Sequence, residues 1–90
     1  LRTNGRFIMQ ISYKESYKKA ISKIKKKDIV LYQRIRKKVI EIINNPEHYK
    51  PLRNVLKGLR RIQFGSYVLK YEVKENDITF IDVTPHDQAY

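Results

Sequence analysis

The stretch LKGLRRIQFGSYVLKYEV, residues 56–73, predicts how the sheet of this protein is arranged. Gly65 and Ser66 lie in its middle and are the turn signal of a two-residue β-hairpin. Counting outward from this turn gives the register, because directly opposed residues lie on the same face of a sheet. The predicted pairs are Phe64 with Tyr67, Gln63 with Val68, Ile62 with Leu69, Arg61 with Lys70 and Arg60 with Tyr71.

This register gives the hairpin one apolar face and one polar face. The apolar face should pack under helices, whereas the opposite face should stay uncovered. Arg60 belongs to the end of the apolar face, and we expect its guanidinium to extend to the edge of the sheet. The apolar face is predicted to hold Ile62, Phe64, Tyr67, Leu69, Tyr71 and Val73, and the polar face Arg61, Gln63, Val68, Lys70 and Glu72.

One predicted pair is unfavourable, because Arg61 lies opposite Lys70 and opposed like charges destabilise a sheet. The pair can mark a binding site in which a bound phosphate offsets the repulsion. Alternatively, both long side chains extend into water, which costs little on an exposed face. Both interpretations remain open at this point.

A strand and a helix are predicted upstream of the hairpin. The segment RFIMQIS, residues 6–12, alternates apolar and other side chains and is a plausible first strand, with Phe7, Met9 and Ile11 on one face. Ser12 and Glu15 form the S-x-x-E pattern of a capping box, which predicts that the first helix begins there.

Two helices should form a packed hairpin. Asp28 is the predicted N-cap of the second helix, which should end at the run Asn44-Asn45-Pro46. Apolar residues recur at helical spacing in both segments and predict the faces that meet the sheet. These residues are Tyr17, Ala20, Ile21 and Ile24 in the first helix and Leu31, Ile35, Val39, Ile42 and Ile43 in the second.

The rest of the chain completes an α+β fold of order β-α-α-β-β-β, with the helical hairpin on one face of a mostly antiparallel sheet. Residues 46–58 read as a loop, and ITFIDV, residues 78–83, has apolar side chains on both faces, as a central strand has. Residues 84–90 predict one short helical turn that needs docking to be stable. We expect residues 1–5 to be a disordered tail or a cloning remnant, and residues 6–90 to form a single domain.

The charge of the chain favours a polyanionic partner. The net charge is +11, and residues 14–61 carry 16 Lys and Arg against 4 acids. RNA, DNA and an acidic protein all fit such a basic block. For KIKKK, residues 23–27, a solvated lysine-rich surface is the simpler interpretation.

Several classes of site and location are disfavoured by composition. The chain has no cysteine, and its 2 isolated histidines, His48 and His86, do not make a zinc motif. No stretch reaches the ~20 consecutive apolar residues of a membrane span, and the N-terminus lacks the apolar run of a signal peptide. We therefore expect a cytoplasmic protein that contacts no membrane.

The run LRNVLKGLRRIQFGSYVLKYEV, residues 52–73, the preceding β-α-α order and the closing ITFIDVTPHDQAY, residues 78–90, resemble the RelE/ParE superfamily of toxin-antitoxin toxins. The resemblance covers residues 6–90. It implies a ribosome-dependent endoribonuclease that cuts messenger RNA without a metal or other cofactor. It also implies that an acidic RelB-like antitoxin wraps around the toxin and that DNA is bound only through the antitoxin complex.

The resemblance also implies a set of site residues. Arg61, in the strand after KGL, and the terminal Tyr90 match catalytic positions, and Gln63 lies where a second strand cation often occurs. Two arginines of the family pattern are absent here. Val68 replaces one of them, and the other is missing from the closing His-Arg motif near His86.

The remaining residue types suit metal-free RNA cleavage, in which the 2′-OH attacks the adjacent phosphate. This reaction needs a proton acceptor, a proton donor and cations around the developing charge. Arg61 and Lys70 are the predicted cations. His86 and Tyr90, four residues apart, are the predicted proton-transfer and base-stacking residues. The residues predicted to hold RNA are Arg53, Lys57 and Gln63.

Two other functions remain open. A ParE-like toxin directed at gyrase would share the fold without the ribonuclease residues, and the two missing arginines fit this alternative. A catalytically degenerate toxin that only binds antitoxin is the other. Cleavage of mRNA on translating ribosomes would separate the ribonuclease from both.

Overall fold

A computed structural model describes residues 10–45, 58–74 and 77–86 of the protein. The elements follow the predicted β-α-α-β-β-β order and form an α+β fold. They are β1 (Gln10–Tyr13), α1 (Glu15–Lys27), α2 (Ile29–Asn44), β2 (Leu59–Phe64), β3 (Tyr67–Lys74) and β4 (Asp77–Pro85). Four predicted features lie outside the described residues, namely the tail at residues 1–5, the strand positions Phe7 and Met9, the loop before Gly58 and residues 87–90 of the terminal helical turn. The prediction that this turn begins at Thr84 and Pro85 is wrong, because both residues belong to β4.

The sheet has the strand order β1-β4-β3-β2, so β4 is a central strand as predicted. β1 pairs with β4 in parallel, whereas β2 with β3 and β3 with β4 pair antiparallel. All five predicted hairpin pairs are present, and Leu59 opposite Glu72 adds a sixth. Gly65 adopts a φ of 54° in the turn, a left-handed conformation that glycine tolerates well.

A β-bulge interrupts the pairing of β3 with β4. Lys70 lies opposite Asp82, but the next residue, Tyr71, lies opposite Phe80, so Ile81 is an extra residue in β4. The extra residue changes the phase of the alternation. As a result Phe80 and Val83 both lie in the core, and Asp82 shares the face of Lys70.

The core lies between the apolar face of the sheet and the two helices. Tyr71, Phe80, Ile35 and Ile42 are completely buried there. The rings of Tyr71 and Phe80 are 5.8 Å apart between centroids. The predicted core-facing residues of both helices are buried or packed against this cluster, which confirms the helical faces.

The start of α1 differs from the prediction, since Ser12 is a strand residue and the capping box is wrong. The backbone N–H of Lys14 donates to the carbonyl of Phe80 at 2.9 Å, so the chain is still held by the sheet at this point. α1 begins only at Glu15, without a side-chain cap. The predicted cap of α2 is confirmed, because the Asp28 carboxylate accepts from the backbone N–H of Leu31 at 3.0 Å.

Two predictions about the faces of the hairpin are also wrong. Arg60 is 6 % exposed instead of extending into water. Its guanidinium donates to the carbonyl of Gly58 at 2.8 Å, and this bond offsets part of the cost of burying a charge. Val68 does lie on the face opposite the core, yet it is only 1 % exposed, so that face is not fully uncovered.

Candidate functional site

Three charged residues form a row across the polar face of the sheet. Arg61 of β2 lies opposite Lys70 of β3, as predicted, and Lys70 lies opposite Asp82 of β4. All three are half-buried. With about 4.8 Å between neighbouring strands, the row spans about 10 Å. Lys70 therefore lies between one like charge and one opposite charge, and Asp82 offsets part of the repulsion that the sequence predicts.

Asp82 was missed by the analysis of the sequence. Asp82 lies opposite Lys70 of β3 only because of the bulge at Ile81, and no local sequence signal marks this bulge. Without the extra residue, Asp82 would lie out of phase with Lys70. The only signal available was the alternation of β4 itself, in which apolar residues occur on both faces.

Two side-chain oxygens near this row lack hydrogen-bond partners. Across the described ranges nothing donates to the Oδ1 of Asp82, which is buried, and the buried hydroxyl of Thr84 is also unsatisfied. The two residues are two positions apart in one strand and share a face. Buried polar atoms are nearly always paired, so these two oxygens mark a part of β4 where the described residues leave hydrogen-bonding capacity unused.

The other predicted site residues differ in how the structure describes them. Gln63 is exposed, and its amide donates to the carbonyl of Gly65 at 3.0 Å, so it also stabilises the turn. The backbone N–H of His86 donates to the backbone carbonyl of Ser66 at 2.6 Å, which places His86 beside the same turn. The predicted residues Arg53, Lys57 and Tyr90 lie outside the described residues.

His86 follows directly after β4, which ends at Pro85, so the alternation of the strand does not determine its face. The fold therefore brings Arg61, Lys70 and Asp82 into one row and places His86 towards the hairpin turn.

A cleft of about 960 Å³ lies between α1 and the second half of β4. One wall carries Lys19, Lys23 and Lys27, which are spaced four residues apart and so lie on one face of the helix. Asp82 and Thr84 of β4 also line the cleft. The residues with unsatisfied oxygens therefore border both the charged row and a lysine-lined cleft.

A smaller cavity of about 300 Å³ is lined by Tyr13, by Tyr17 of α1 and by Tyr32 of α2. Burial, with smaller contributions from Tyr13 and Tyr32, raises the pKa of Tyr17 to about 12. The predictions that Tyr17, Tyr67 and Tyr71 serve the core are confirmed, since each is buried in the core or packed against it. The rings of Tyr17 and Tyr71 are therefore not available for stacking on RNA bases, whereas Tyr67 is only partly buried.

These groups can bind a phosphate, accept a proton and follow a polyanionic strand. Arg61 and Lys70 supply cations, and Asp82 supplies an acceptor. Within residues 10–45, 58–74 and 77–86 no group of three or more His, Cys, Asp and Glu side chains could hold a metal ion. In the same ranges, no helix is long and apolar enough to cross a membrane.

Two sequence comparisons assign the chain to known proteins. Residues 11–90 match the family described as ParE toxin of the type II toxin-antitoxin system parDE. The chain is also similar to the "Putative toxin RelE4" of Methanocaldococcus jannaschii. The two are 38 % identical over 84 residues, which cover 90 % of this chain and 89 % of that protein.

Solved structures share the fold at low sequence identity. A chain of the E. coli DinJ-YafQ toxin-antitoxin complex aligns with a TM-score of 0.73 and 20 % identity, over 91 % of this chain and 97 % of that chain. The YoeB/ParE toxin from Agrobacterium tumefaciens aligns with a TM-score of 0.75 and 14 % identity, over 87 % and 99 % of the two chains. At such identities the likeness shows the fold alone.

Proposed function

This chain belongs to the RelE/ParE superfamily of type II toxin-antitoxin toxins, and we propose that it is an endoribonuclease that cuts mRNA on the ribosome and so inhibits translation. The observation that supports this proposal is the pair Arg61 and Lys70 on one face of the sheet. The resemblance of residues 52–73 to RelE-like toxins points to the same face.

The pair of cations suits a phosphate ligand. At about 5 Å in water, two like charges repel by about 1 kcal/mol, and screening reduces the value for half-buried side chains. A phosphate between Arg61 and Lys70 replaces this repulsion with two attractions. The same two cations stabilise the extra negative charge that develops on the phosphate when the 2′-OH attacks.

Proton transfer and RNA contacts complete the proposed site. His86 and Tyr90 move protons or stack on a base, and Gln63, Arg53 and Lys57 hold the strand. The chemistry requires no metal ion or other cofactor, because cations replace the metal charge and side chains transfer the protons.

The ribosome aligns the RNA strand, which the few residues of the proposed site cannot do by themselves. Alignment of the 2′-OH with the phosphate is a major part of the rate enhancement in such reactions. A flexible RNA strand is not held in line by two cations, whereas the decoding site of the ribosome holds it. The helical hairpin, with its many lysines, docks on ribosomal RNA, and activity falls steeply with salt.

An antitoxin is the second partner, as expected for a type II toxin. We infer that it is acidic and RelB-like, since this chain carries a net charge of +11. Its charge steers the encounter, and apolar anchors supply most of the affinity. The toxin acts in the cytoplasm, where mRNA is translated, and contacts DNA only through the antitoxin complex.

The test compares cleavage of one mRNA with and without ribosomes. Wild type should cut ribosome-bound mRNA much faster than naked mRNA. Arg61→Ala should slow the ribosome-dependent reaction by about a hundredfold, as loss of a transition-state donor commonly does. Lys74→Ala is the matched control, since Lys74 is an exposed cation at the far end of β3. Equal rates on naked and ribosome-bound RNA would contradict the proposal.

A gyrase-directed toxin is the second candidate function. Two observations favour it, the match to the ParE toxin family and Val68 in place of an arginine of the RelE pattern. A chain that leaves ribosome-bound mRNA intact but traps gyrase on cleaved DNA would establish this alternative. A chain inactive in both assays would be an antitoxin-binding module only.

A further inference from the structure

Asp82 has no role in the proposed set of residues, although it extends the row of Arg61 and Lys70. Its Oδ1 is buried, and no group in the described part of the chain donates to it. A carboxylate oxygen held away from water without a donor is costly. Because Asp82 as a whole is only half-buried and borders the cleft, a ligand can bring a hydrogen-bond donor to its carboxylate.

RNA offers few donors that reach a carboxylate. Phosphate oxygens only accept hydrogen bonds, as a carboxylate does, so a phosphate cannot complete Asp82. The donors of an RNA strand are its 2′-OH groups and the N–H groups of its bases. Of these, the 2′-OH is the donor closest to the phosphate that Arg61 and Lys70 would hold.

Distances across the sheet match this assignment. A nucleophilic oxygen poised for attack lies about 3–3.5 Å from the phosphorus. Its general base lies about 2.6–3.2 Å beyond it. The carboxylate is therefore needed about 6 Å from the phosphorus, which lies between one strand spacing of about 4.8 Å and the roughly 7 Å that separates β4 from a point midway between β2 and β3. A phosphate beside Lys70 thus places its attacking 2′-OH within reach of the next strand, where Asp82 lies.

The cleft beside α1 gives the strand a path to this carboxylate. Asp82 and Thr84 line this cleft together with Lys19 and Lys23. An RNA strand that crosses β4 at Asp82 can therefore place its neighbouring phosphates among these lysines.

We propose that Asp82 is the general base of the RNA cleavage reaction, an inference that rests on the proposed ribonuclease function. The Asp82 carboxylate takes the proton of the 2′-OH as the bond from the 2′-oxygen to phosphorus forms. The bond from phosphorus to the 5′-oxygen breaks, and this oxygen takes a proton from the donor of the site, His86 or Tyr90. The products are a 2′,3′-cyclic phosphate and a 5′-OH end.

The test measures single-turnover cleavage of ribosome-bound mRNA at saturating toxin. Asp82→Asn should be slower than wild type by about a hundredfold or more, the usual effect of losing a general base. Asp77→Asn is the matched control, because it makes the same change at the exposed start of the same strand. It should cut at the wild-type rate.

A second substrate separates the base from other roles. In an mRNA with a sulfur in place of the 5′-oxygen at the cleaved bond, the leaving group no longer needs a proton. Loss of the base should slow cleavage of this RNA as much as cleavage of ordinary RNA. A defect of Asp82→Asn that disappears with the sulfur substrate would place Asp82 on the leaving-group side and overturn the assignment.

Asp82→Glu keeps the test decisive if the Asn variant does not fold. It retains a charge beside Lys70 but displaces the carboxylate, which should slow both substrates by about tenfold. A wild-type rate in the Asn variant would overturn the role of Asp82 while leaving the ribonuclease function intact. A Glu variant whose defect disappears with the sulfur substrate would overturn it too, because the carboxylate would then act on the leaving-group side. A wild-type protein that cuts no mRNA would overturn both.

Discussion

The substitution Gly58→Ala tests whether the start of β2 lies as close to β3 as the structure describes. A Cβ at this position would lie 2.6 Å from the carbonyl oxygen of Val73, a distance that side chains essentially never show. The carbonyl of Gly58 also accepts two hydrogen bonds, from the Val73 N–H at 2.9 Å and from the Arg60 guanidinium at 2.8 Å. Gly58→Ala should therefore disturb both bonds at once.

The expected cost follows from these contacts. Moving the Cβ from 2.6 Å to an ordinary contact of 3.4 Å shifts the backbone by about 0.8 Å, which stretches the bond to Val73 beyond hydrogen-bonding range. A neutral hydrogen bond contributes about 0.5–1.5 kcal/mol, and one to a charged group about 1.5–3 kcal/mol. The free energy of unfolding should fall by about 2–4 kcal/mol. In a domain of this size, that lowers Tm by roughly 10–25 °C.

Thermal unfolding followed by circular dichroism measures this effect. Gly65→Ala is the control, since a Cβ there meets nothing within 4 Å and only the left-handed backbone, at φ +54°, is strained. That strain costs about 1–2 kcal/mol. A loss of Tm for Gly58→Ala no larger than that for Gly65→Ala would refute the close approach of β2 to Val73.

Two further measurements follow from the burial of Tyr17 and from the charge of the chain. Burial raises the pKa of Tyr17 to about 12 from an ordinary 10.0, so the folded protein holds this proton more tightly than the unfolded chain. The contribution of Tyr17 to the free energy of unfolding should be fully present below pH 10 and should decrease as the pH rises towards 12. The Tyr17→Phe variant should lack this pH dependence. Parallel denaturation profiles of the two proteins would contradict the burial of Tyr17. Coexpression of the chain with the gene next to it should yield an acidic protein that copurifies and stays bound in high salt, and a toxin purified alone would count against such an antitoxin.

The parts of the fold that local sequence determines could be predicted. The hairpin register follows from Gly65-Ser66 and from alternation, and the helical faces follow from apolar spacing. The start of α1 could not be predicted from a local capping pattern, because Lys14 is held by a hydrogen bond to Phe80, a residue distant in sequence. Burial of Arg60 likewise depends on the carbonyl of Gly58 and on packing around it.

Only part of the candidate site could be predicted, because only part of it is determined by local sequence. Arg61 and Lys70 face each other through a turn that can be read from the sequence. Asp82 joins them only through the bulge in β4, whose phase depends on pairing with β3. Alternation alone cannot show where an extra residue lies. The interpretation of the sequence therefore did not include the Asp82 carboxylate of β4.

The bulge at Ile81 also determines how this chain should be aligned with other toxins. A relative with a regular β4 has one residue fewer between the position of Phe80 and the strand end. An ungapped alignment would then compare Asp82 with a residue whose side chain lies in the core of that relative. Homologous positions beside Lys70 are recovered only if a one-residue gap is allowed at Ile81, so conservation of the site should be judged from alignments guided by strand pairing.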